Sequence, residues 1–237
     1  MQKRQLFLIH FAGGNCYSYQ PLKEFLNNFE VISLELPGRG RRMDEPLIRK
    51  YALAADDIYR QIVNKLKRPD YAIFGHSMGA RIALTVTKMM EEDGNGPAHL
   101  FVSGNPGPGA HDIKTRYKLP KAEFLEELTL LGGVPKILSE NEEMFAFFEP
   151  ILRADFELVE GDTIAEVTPL EAPIYAMMGD AEENSDKIEN WANFTNSSFN
   201  YEVLDGDHFF IFKHPERVAN IISNNLSVLR DVSQGAV

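Results

Sequence analysis

Residues 71–84 read YAIFGHSMGARIAL and contain the most informative motif of the chain. Its first four residues favour an extended strand, and a helical pattern follows directly behind Gly79. Between the two stands the motif Gly-x-Ser-x-Gly, with Ser77 at its centre. Glycines are required on both sides because a Cβ there would collide with neighbouring backbone. The stretch therefore predicts a serine nucleophile on a sharp turn above the end of a sheet.

The same turn predicts a site for a developing negative charge. The Met78 N–H lies at the N-terminus of the following helix, where the helix dipole is positive. A second N–H can come from residues 11–15, FAGGN, which follow a short apolar strand at Leu6–His10. A glycine pair in such a loop lets backbone approach a ligand closely. We therefore expect the two loops to meet beside Ser77.

Length, charge and cysteine content limit the class of protein. The chain has 237 residues, which suits one large α/β domain, and no run approaches the ~20 apolar residues of a membrane span. The formal net charge of −11 argues against nucleic acid as a partner. The single cysteine, Cys16, excludes an internal disulfide and fits a reducing compartment. We predict a cytoplasmic monomer that contacts neither membrane nor nucleic acid.

The alternation of strands and helices lapses between about residues 114 and 160. Two short amphipathic helices are predicted there, the second interrupted by Pro150, with residues 132–135 joining them. Helices inserted between a strand and the resumption of strand–helix order are typical of a lid. We therefore predict a single domain over residues 1–237, with a lid at about 114–160 that covers Ser77.

A serine hydroxyl needs an adjacent base and an acid that orients it. His208 follows the last predicted strand in a glycine-containing loop, where a base can reach Ser77. The acid is open, because Asp180, Glu182 and Glu183 occupy one loop after a late strand. Each choice gives the chain order serine, acid, histidine that is expected for this fold. No cluster with metal-ligand spacing and no dinucleotide loop is present in the sequence.

With these residues in hand, the chain resembles the type II thioesterases that accompany nonribosomal peptide and polyketide synthases. The resemblance implies an α/β-hydrolase fold, with a mostly parallel central sheet flanked by helices and a helical lid insertion. It extends over nearly the whole chain and uses seven motifs in order. They are FAGG (11–14), LPGRG (36–40), FGHSMGA (74–80), FVSG (101–104), LGGVP (131–135), LRADF (152–156) and GDHFF (206–210).

The resemblance implies a role for each matched site residue. Ser77 is the nucleophile, His208 the base, and Ala12 and Met78 the donors of the oxyanion hole. The family usually has its aspartate three residues after the glycine that ends the late strand, and Glu182 stands at that position. Asp180 remains the alternative acid.

The resemblance also implies the substrate and the partner. Acyl groups bound as thioesters to the phosphopantetheine arm of acyl or peptidyl carrier proteins are hydrolysed, which clears stalled chains from the synthase. The arm belongs to the substrate, so no cofactor of the enzyme itself is expected. The alternatives are a chain-releasing thioesterase, a small-molecule carboxylesterase and a non-enzymatic binding module. Intact Ser77 and His208 argue against the last.

Two clusters of cations stand out against the acidic background. Because carrier proteins of such systems are acidic, docking requires a locally basic surface or apolar contact. One cluster is Arg39, Arg41 and Arg42, and the other is Lys114, Arg116, Lys118 and Lys121 at the start of the lid. The second cluster is the better candidate because the arm must pass beneath the lid, and we assign carrier binding to Arg116 and Lys118. The alternative is that these cations only solvate their segment.

Overall fold

Six parallel strands form one sheet at the centre of the molecule. They are Arg4–Ile9 (β1), Phe29–Leu34 (β2), Tyr71–His76 (β3), His99–Ser103 (β4), Ile174–Gly179 (β5) and Phe199–Leu204 (β6). Their order across the sheet is β2-β1-β3-β4-β5-β6, with every neighbouring pair parallel. This computed structural model describes residues 3–110, 114–132, 141–161 and 168–234, with side chains up to residue 227. The predicted parallel α/β architecture is confirmed.

Seven helices are described. They are Gln20–Lys23 (α1), Tyr51–Lys65 (α2), Met78–Glu92 (α3), Lys121–Leu130 (α4), Glu142–Glu160 (α5), Phe210–Lys213 (α6) and Pro215–Gln234 (α7). Short 3-10 helices lie at Gly40–Arg42, Arg116–Lys118 and Ser185–Phe194. No helix in the described ranges is long and apolar enough to cross a membrane.

The two faces of the sheet carry separate cores. Along β1 successive side chains point to opposite faces, so Phe7 and Ile9 pack with α2 and α3, whereas Leu6 and Leu8 pack with α1, α6 and α7. All six residues of β1 are buried, as expected for an inner parallel strand covered on both faces. Half-exposed β6 forms one edge of the sheet.

Chain order reverses across the sheet between β1 and β3. The chain first passes from β1 to β2 on one side and then crosses to β3 on the other. Loops leave a parallel sheet in opposite directions at such a point, which opens a crevice beyond the carboxyl ends of the strands. Ile9, the last residue of β1, is aligned with Gly75. The FAGGN loop and the serine turn therefore leave the sheet side by side.

The lid helices α4 and α5 share a core of their own. Its buried members are Phe124, Leu128, Phe145, Leu152 and Phe156. The expectation that Pro150 interrupts the second helix was wrong, because α5 is continuous through it over 19 residues. A proline costs one helical hydrogen bond and crowds the preceding turn, but packing of the apolar side of α5 offsets this. Of the predicted connection at 132–135, residues 133–135 lie outside the described residues.

Candidate active site

Ser77 occupies a strained turn between β3 and α3. Its φ of 55° lies in the left-handed region that non-glycine residues rarely adopt. A Cβ added at Gly75 would lie 2.1 Å from the Gly79 carbonyl oxygen, and one at Gly79 would lie 2.3 Å from the Ile9 carbonyl oxygen. The Ser77 N–H donates to the Ser103 carbonyl at 2.8 Å. Only glycines at both positions allow the turn to pack this tightly on β1.

Ser77, His208 and Glu182 form a continuous hydrogen-bonded line. His208 Nε2 lies 2.9 Å from Ser77 Oγ, and His208 Nδ1 lies 2.6 Å from Glu182 Oε2. The Gly179 N–H donates to Glu182 Oε1 at 2.7 Å, which fixes the carboxylate at the end of β5. A carboxylate only accepts, so Nδ1 carries a proton and Nε2 of the neutral ring can take the proton of Oγ.

The two neighbouring carboxylates have other partners. Asp180 is exposed, and its Oδ1 accepts the Gly206 N–H at 2.8 Å, which ties the loop after β5 to the loop after β6. Glu183 is also exposed and forms an ion pair with Lys114 at 2.9 Å. The structure thus brings Glu182, and neither of the other two, into contact with His208.

Ala12 and Met78 both line the cavity beside Ser77. Met78 is the first residue of α3, so its N–H has no partner within the helix. The Ala12 N–H has no acceptor among the described residues. Two N–H groups from adjacent strand ends can therefore bind the oxygen of a tetrahedral intermediate.

His76 is buried directly beneath His208. The two ring centroids are 4.9 Å apart, and His76 Nδ1 lies 2.7 Å from Ser103 Oγ. Burial, assisted by the charge of His208, holds the pKa of His76 well below its usual value. A neutral ring at this position does not repel the imidazolium that His208 becomes when it takes a proton.

A cavity of about 790 Å³ opens between Ser77 and the lid. Its apolar wall includes side chains from α4, from the residue that follows α4, and from α5 and β5, namely Leu128, Leu131, Leu152, Phe156, Val159 and Met178. Ionisable side chains also line it, including Arg81, Arg116 and Glu160. A cavity of this size, with a largely apolar wall and a few polar groups, is typical of a site that binds a small organic group.

The two cations assigned to carrier binding differ in environment. Arg116 contacts Glu160 at 2.6 Å and Glu127 at 3.0 Å, and only 16% of its side chain is exposed. Its guanidinium is thus engaged inside the lid, and reversing its charge would break internal ion pairs. Lys118 is exposed, with its ammonium 5.2 Å from the centre of the Tyr117 ring. Of the pair, Lys118 alone lies where a partner can reach it.

Sequence reasoning missed one buried contact at the site. Asp155 of α5 has no exposed surface, accepts the Gly13 N–H at 2.7 Å and contacts Arg39 at 2.5 Å. Arg39, a member of the first candidate basic cluster, is 2% exposed and therefore contributes little to a basic surface. The available signal was Asp155 itself, a charge on the helix face that also carries Leu152 and Phe156.

Comparisons with known proteins agree on the family. The sequence model of the Thioesterase domain matches residues 4–226. Linear gramicidin dehydrogenase LgrE of Brevibacillus parabrevis is 34% identical over 93% of this chain and 87% of its own length. The structure of ClbQ from the colibactin NRPS/PKS pathway has a TM-score of 0.89 at 31% identity, covering 98% of this chain and 100% of its own. The type II thioesterase BorB from the borrelidin cluster has a TM-score of 0.86 at 26% identity, covering 94% and 93%.

One of these names indicates a different class of reaction. A dehydrogenase that uses a dinucleotide has the spacing G-x-G-x-x-G after its first strand, whereas β1 here is followed by FAGGN. The hydroxyl, imidazole and carboxylate in line are the groups of acyl transfer. The site therefore agrees with the family model and with BorB.

Proposed function

This chain belongs to the thioesterase family, and from that premise we propose that it hydrolyses acyl groups bound as thioesters to the phosphopantetheine arm of carrier proteins. Its role would be editing for a nonribosomal peptide or polyketide synthase. The observation that carries the proposal is the hydrogen-bonded line Ser77–His208–Glu182 facing a cavity under the lid. Similarity to proteins named from NRPS/PKS and borrelidin biosynthesis supports the substrate class.

The contacts suggest a role for each group in the first half of the reaction. His208 Nε2 takes the proton of Ser77 Oγ while that oxygen bonds to the thioester carbon. The negative charge that develops on the carbonyl oxygen is stabilised by the N–H groups of Ala12 and Met78. The C–S bond then breaks, the proton passes from His208 to the leaving sulfur, and the acyl group remains on Ser77. Glu182 stabilises the imidazolium throughout.

Water completes the reaction through the same groups. His208 takes a proton from a water molecule as the water oxygen bonds to the acyl carbon. The intermediate collapses, the Ser77 oxygen recovers the proton, and the carboxylic acid leaves. Apart from substrate and water, these steps use only groups of the protein chain, so we propose that the enzyme needs no cofactor of its own.

We propose an acidic carrier protein as the partner. The formal net charge of −11 makes long-range attraction to such a partner unfavourable, so docking depends on local cations and apolar contact. Exposed Lys118 and exposed Leu130 both lie at the lid, which the arm would have to pass. We further propose that the enzyme works as a monomer in the cytoplasm, which its single cysteine fits.

Replacing the nucleophile tests the proposed function. We expect Ser77→Ala to lower hydrolysis of an acyl-carrier protein by at least ~10³-fold, because no other side chain would form the acyl-enzyme. Loss of thiol release is measured with a free-thiol reagent, and circular dichroism checks that the variant is folded. Normal turnover by folded Ser77→Ala would refute the mechanism.

The substrate preference of the wild-type enzyme tests the substrate class, with thiol release measured for the thioesters and p-nitrophenol release for the ester. We expect kcat/KM to be higher for the acyl-carrier protein than for the acyl-N-acetylcysteamine thioester or a p-nitrophenyl ester with the same acyl group. A marked preference for the p-nitrophenyl ester would point to a small-molecule carboxylesterase instead.

A further inference from the structure

Asp155 connects three separate parts of the chain at one buried oxygen. Its Oδ2 accepts the N–H of Gly13 in the FAGGN loop at 2.7 Å. The same oxygen accepts a hydrogen bond from Arg39 Nη1 at 2.5 Å. Both side chains are removed from solvent, with 0% and 3% of their surface exposed. A charge-assisted contact in such a place is strong and geometrically defined, so α5 is tied directly to the loop that carries Ala12.

The contact at Gly13 fixes one of the two peptide planes that flank Ala12. The plane between Ala12 and Gly13 is held because its N–H points to Asp155. The plane between Phe11 and Ala12 is held through its carbonyl oxygen, which accepts the Gly14 N–H at 2.9 Å. A peptide unit is planar, so fixing a carbonyl also fixes the N–H at its opposite end. The Ala12 N–H itself lies in the plane between Phe11 and Ala12. The plane between Ala12 and Gly13 anchors the other side of Ala12 and thereby the position of its Cα, which the two planes share.

His10 also holds the peptide plane between Phe11 and Ala12. The Leu36 N–H donates to His10 Nε2 at 3.2 Å, so that nitrogen is unprotonated and Nδ1 carries the proton. Nδ1 lies 2.8 Å from the Phe11 carbonyl oxygen and donates to it. Burial, assisted by the charge of Arg39, lowers the pKa of His10 to about 4, which keeps this ring neutral near pH 7. The plane between Ala12 and Gly13 has no second hydrogen bond of this kind. Among the described residues, its N–H donates to Asp155 alone.

Helix α5 also contacts the loop through an apolar side chain. A Cβ added at Gly13 would lie 2.6 Å from Leu152 Cδ2, so this side chain rests directly on the glycine. Leu152 and Asp155 are three residues apart and share one side of α5. Gly13 has a φ of 75°, which a substituted residue would rarely adopt. The loop is thus shaped to receive this side of the lid helix.

We propose that Asp155, charge-balanced by Arg39, is a positioning residue that holds the FAGGN loop so that the Ala12 N–H points into the oxyanion hole. The inference rests on the proposed function. It makes α5 part of the machinery that stabilises the tetrahedral intermediate, in addition to its role as a wall of the cavity. Without the acceptor, the loop is released from α5 at Gly13. The Cα of Ala12 can then shift, and its N–H moves away from the oxyanion hole.

The main test compares two substitutions of Asp155. Asp155 Oδ1 has no partner among the described residues, so the amide of Asp155→Asn can put its oxygen at Oδ2 and its NH₂ at Oδ1. This variant keeps both hydrogen bonds, and we expect kcat within about 5-fold of wild type. Asp155→Leu fills similar space without an acceptor. We expect its kcat to fall ~10- to 10²-fold, somewhat less than removal of a whole oxyanion donor.

The substrates and controls separate positioning from lid stability. An acyl-N-acetylcysteamine thioester and an acyl-carrier protein should lose kcat equally in Asp155→Leu, with KM for the small thioester unchanged. Affinity for an alkylboronic acid, whose adduct on Ser77 puts an oxygen in the hole, should fall in parallel. The matched control is Glu157→Gln, which removes an ion pair of 2.7 Å between α5 and Arg49 without touching the loop. It should retain wild-type kcat.

A double variant covers the case in which Asp155→Leu fails to fold. Arg39→Met combined with Asp155→Leu leaves no unpaired buried charge, and replacing a buried ion pair by apolar side chains is often tolerated. We expect this protein to fold and to show the same loss of kcat. A folded Leu variant with wild-type kcat overturns the inference, as does an Asn variant as slow as Leu. Turnover retained by Ser77→Ala would instead refute the proposed function. Failure of the Asp155 inference and failure of the proposed function therefore give different results.

Discussion

The buried histidines of the sheet body and the charged pairs of the lid are accommodated in different ways. Three imidazoles of the body are kept neutral: burial lowers the pKa of His10 and of His99 to about 4 and holds that of His76 well below its usual value. Arg4 and Glu35 are buried in the body as well. In the lid and its contacts the buried groups are charged pairs, Arg39 with Asp155 and Arg116 with Glu160. A neutral ring can be buried with one or two hydrogen bonds, whereas a buried charge requires a partner of opposite sign.

This difference changes how cations in the sequence should be interpreted. Near the lid, Lys114, Arg116 and Lys121 all contact carboxylates, and Arg153 pairs with Glu149. Most of these charges join elements of the protein to one another. A basic cluster in an acidic chain is therefore first a candidate for internal pairing, and only an exposed member such as Lys118 is a candidate for a partner.

The largest effect is expected at Glu182, the carboxylate that joins the loop after β5 to His208 in the loop after β6. In Glu182→Gln the amide oxygen must accept the Gly179 N–H, so its NH₂ faces His208 Nδ1. The imidazole is then forced into the tautomer that cannot take the Ser77 proton, and we expect kcat to fall by more than ~10²-fold. Asp180→Asn keeps an acceptor for Gly206 and should change kcat by less than about 3-fold. The reverse ranking in steady-state assays would transfer the role to Asp180.

A second prediction tests whether the lid depends on charged pairs. Arg116→Leu leaves the Glu160 carboxylate, which is 7% exposed, without its cationic partner, although the backbone N–H of residue 116 still donates to it. We expect the free energy of unfolding in urea to fall by about 2–3 kcal/mol, less than for a fully buried pair because 16% of Arg116 is exposed.

Lys118 is the matched control for this measurement. Lys118→Gln should shift the free energy of unfolding by no more than about 0.5 kcal/mol, because an exposed charge contributes little to stability. Equal losses in the two variants would contradict the distinction between them. If Lys118 contacts the carrier protein, its substitution should instead raise KM for the acyl-carrier protein alone.

The last effect is expected from a buried histidine of the body; it is the smallest of the three near pH 7 and grows only at acid pH. His99 has a folded-state pKa of about 4, against 6.5 ordinarily, because it is buried. As the pH falls below about 6.5, the unfolded chain binds a proton that the folded protein does not. Its contribution to stability is therefore fully present above pH 6.5 and is lost by about 1.4 kcal/mol per pH unit towards pH 4.

His99→Phe should remove this dependence. The ring stacks on Phe101 with centroids 4.3 Å apart, and phenylalanine can keep that contact. As the pH is lowered from 7 to 5, unfolding of the variant should take up about one proton fewer than unfolding of the wild-type protein. The difference is measured as the slope of the free energy of unfolding in urea against pH. The control is Lys118→Gln, whose pH dependence should match wild type. An unchanged slope in His99→Phe would show that His99 does not carry acid sensitivity.

Much of the fold could be predicted because its signals are local. Gly75, Ser77 and Gly79, within five residues, predict the nucleophile turn. Short apolar runs between turns predict the buried parallel strands. The continuous path of α5 through Pro150 could not be predicted this way. A proline disfavours a helix locally, and the packing of α5 on α4 that outweighs it joins residues far apart in the chain.

The same difference between local signals and long-range contacts applies to the residues of the active site. Ser77, its glycines and the order serine, acid, histidine could be predicted from local sequence, because one sharp turn and the strand order require them. Three carboxylates in the loop after β5 remained open. Folding selects among them, because the alignment of Gly179 with Leu204 sets β6 beside β5 and brings His208 to Glu182. Likewise, only folding brings Asp155 to Gly13 and Arg39, because contacts across 142 and 116 residues leave no trace in local spacing.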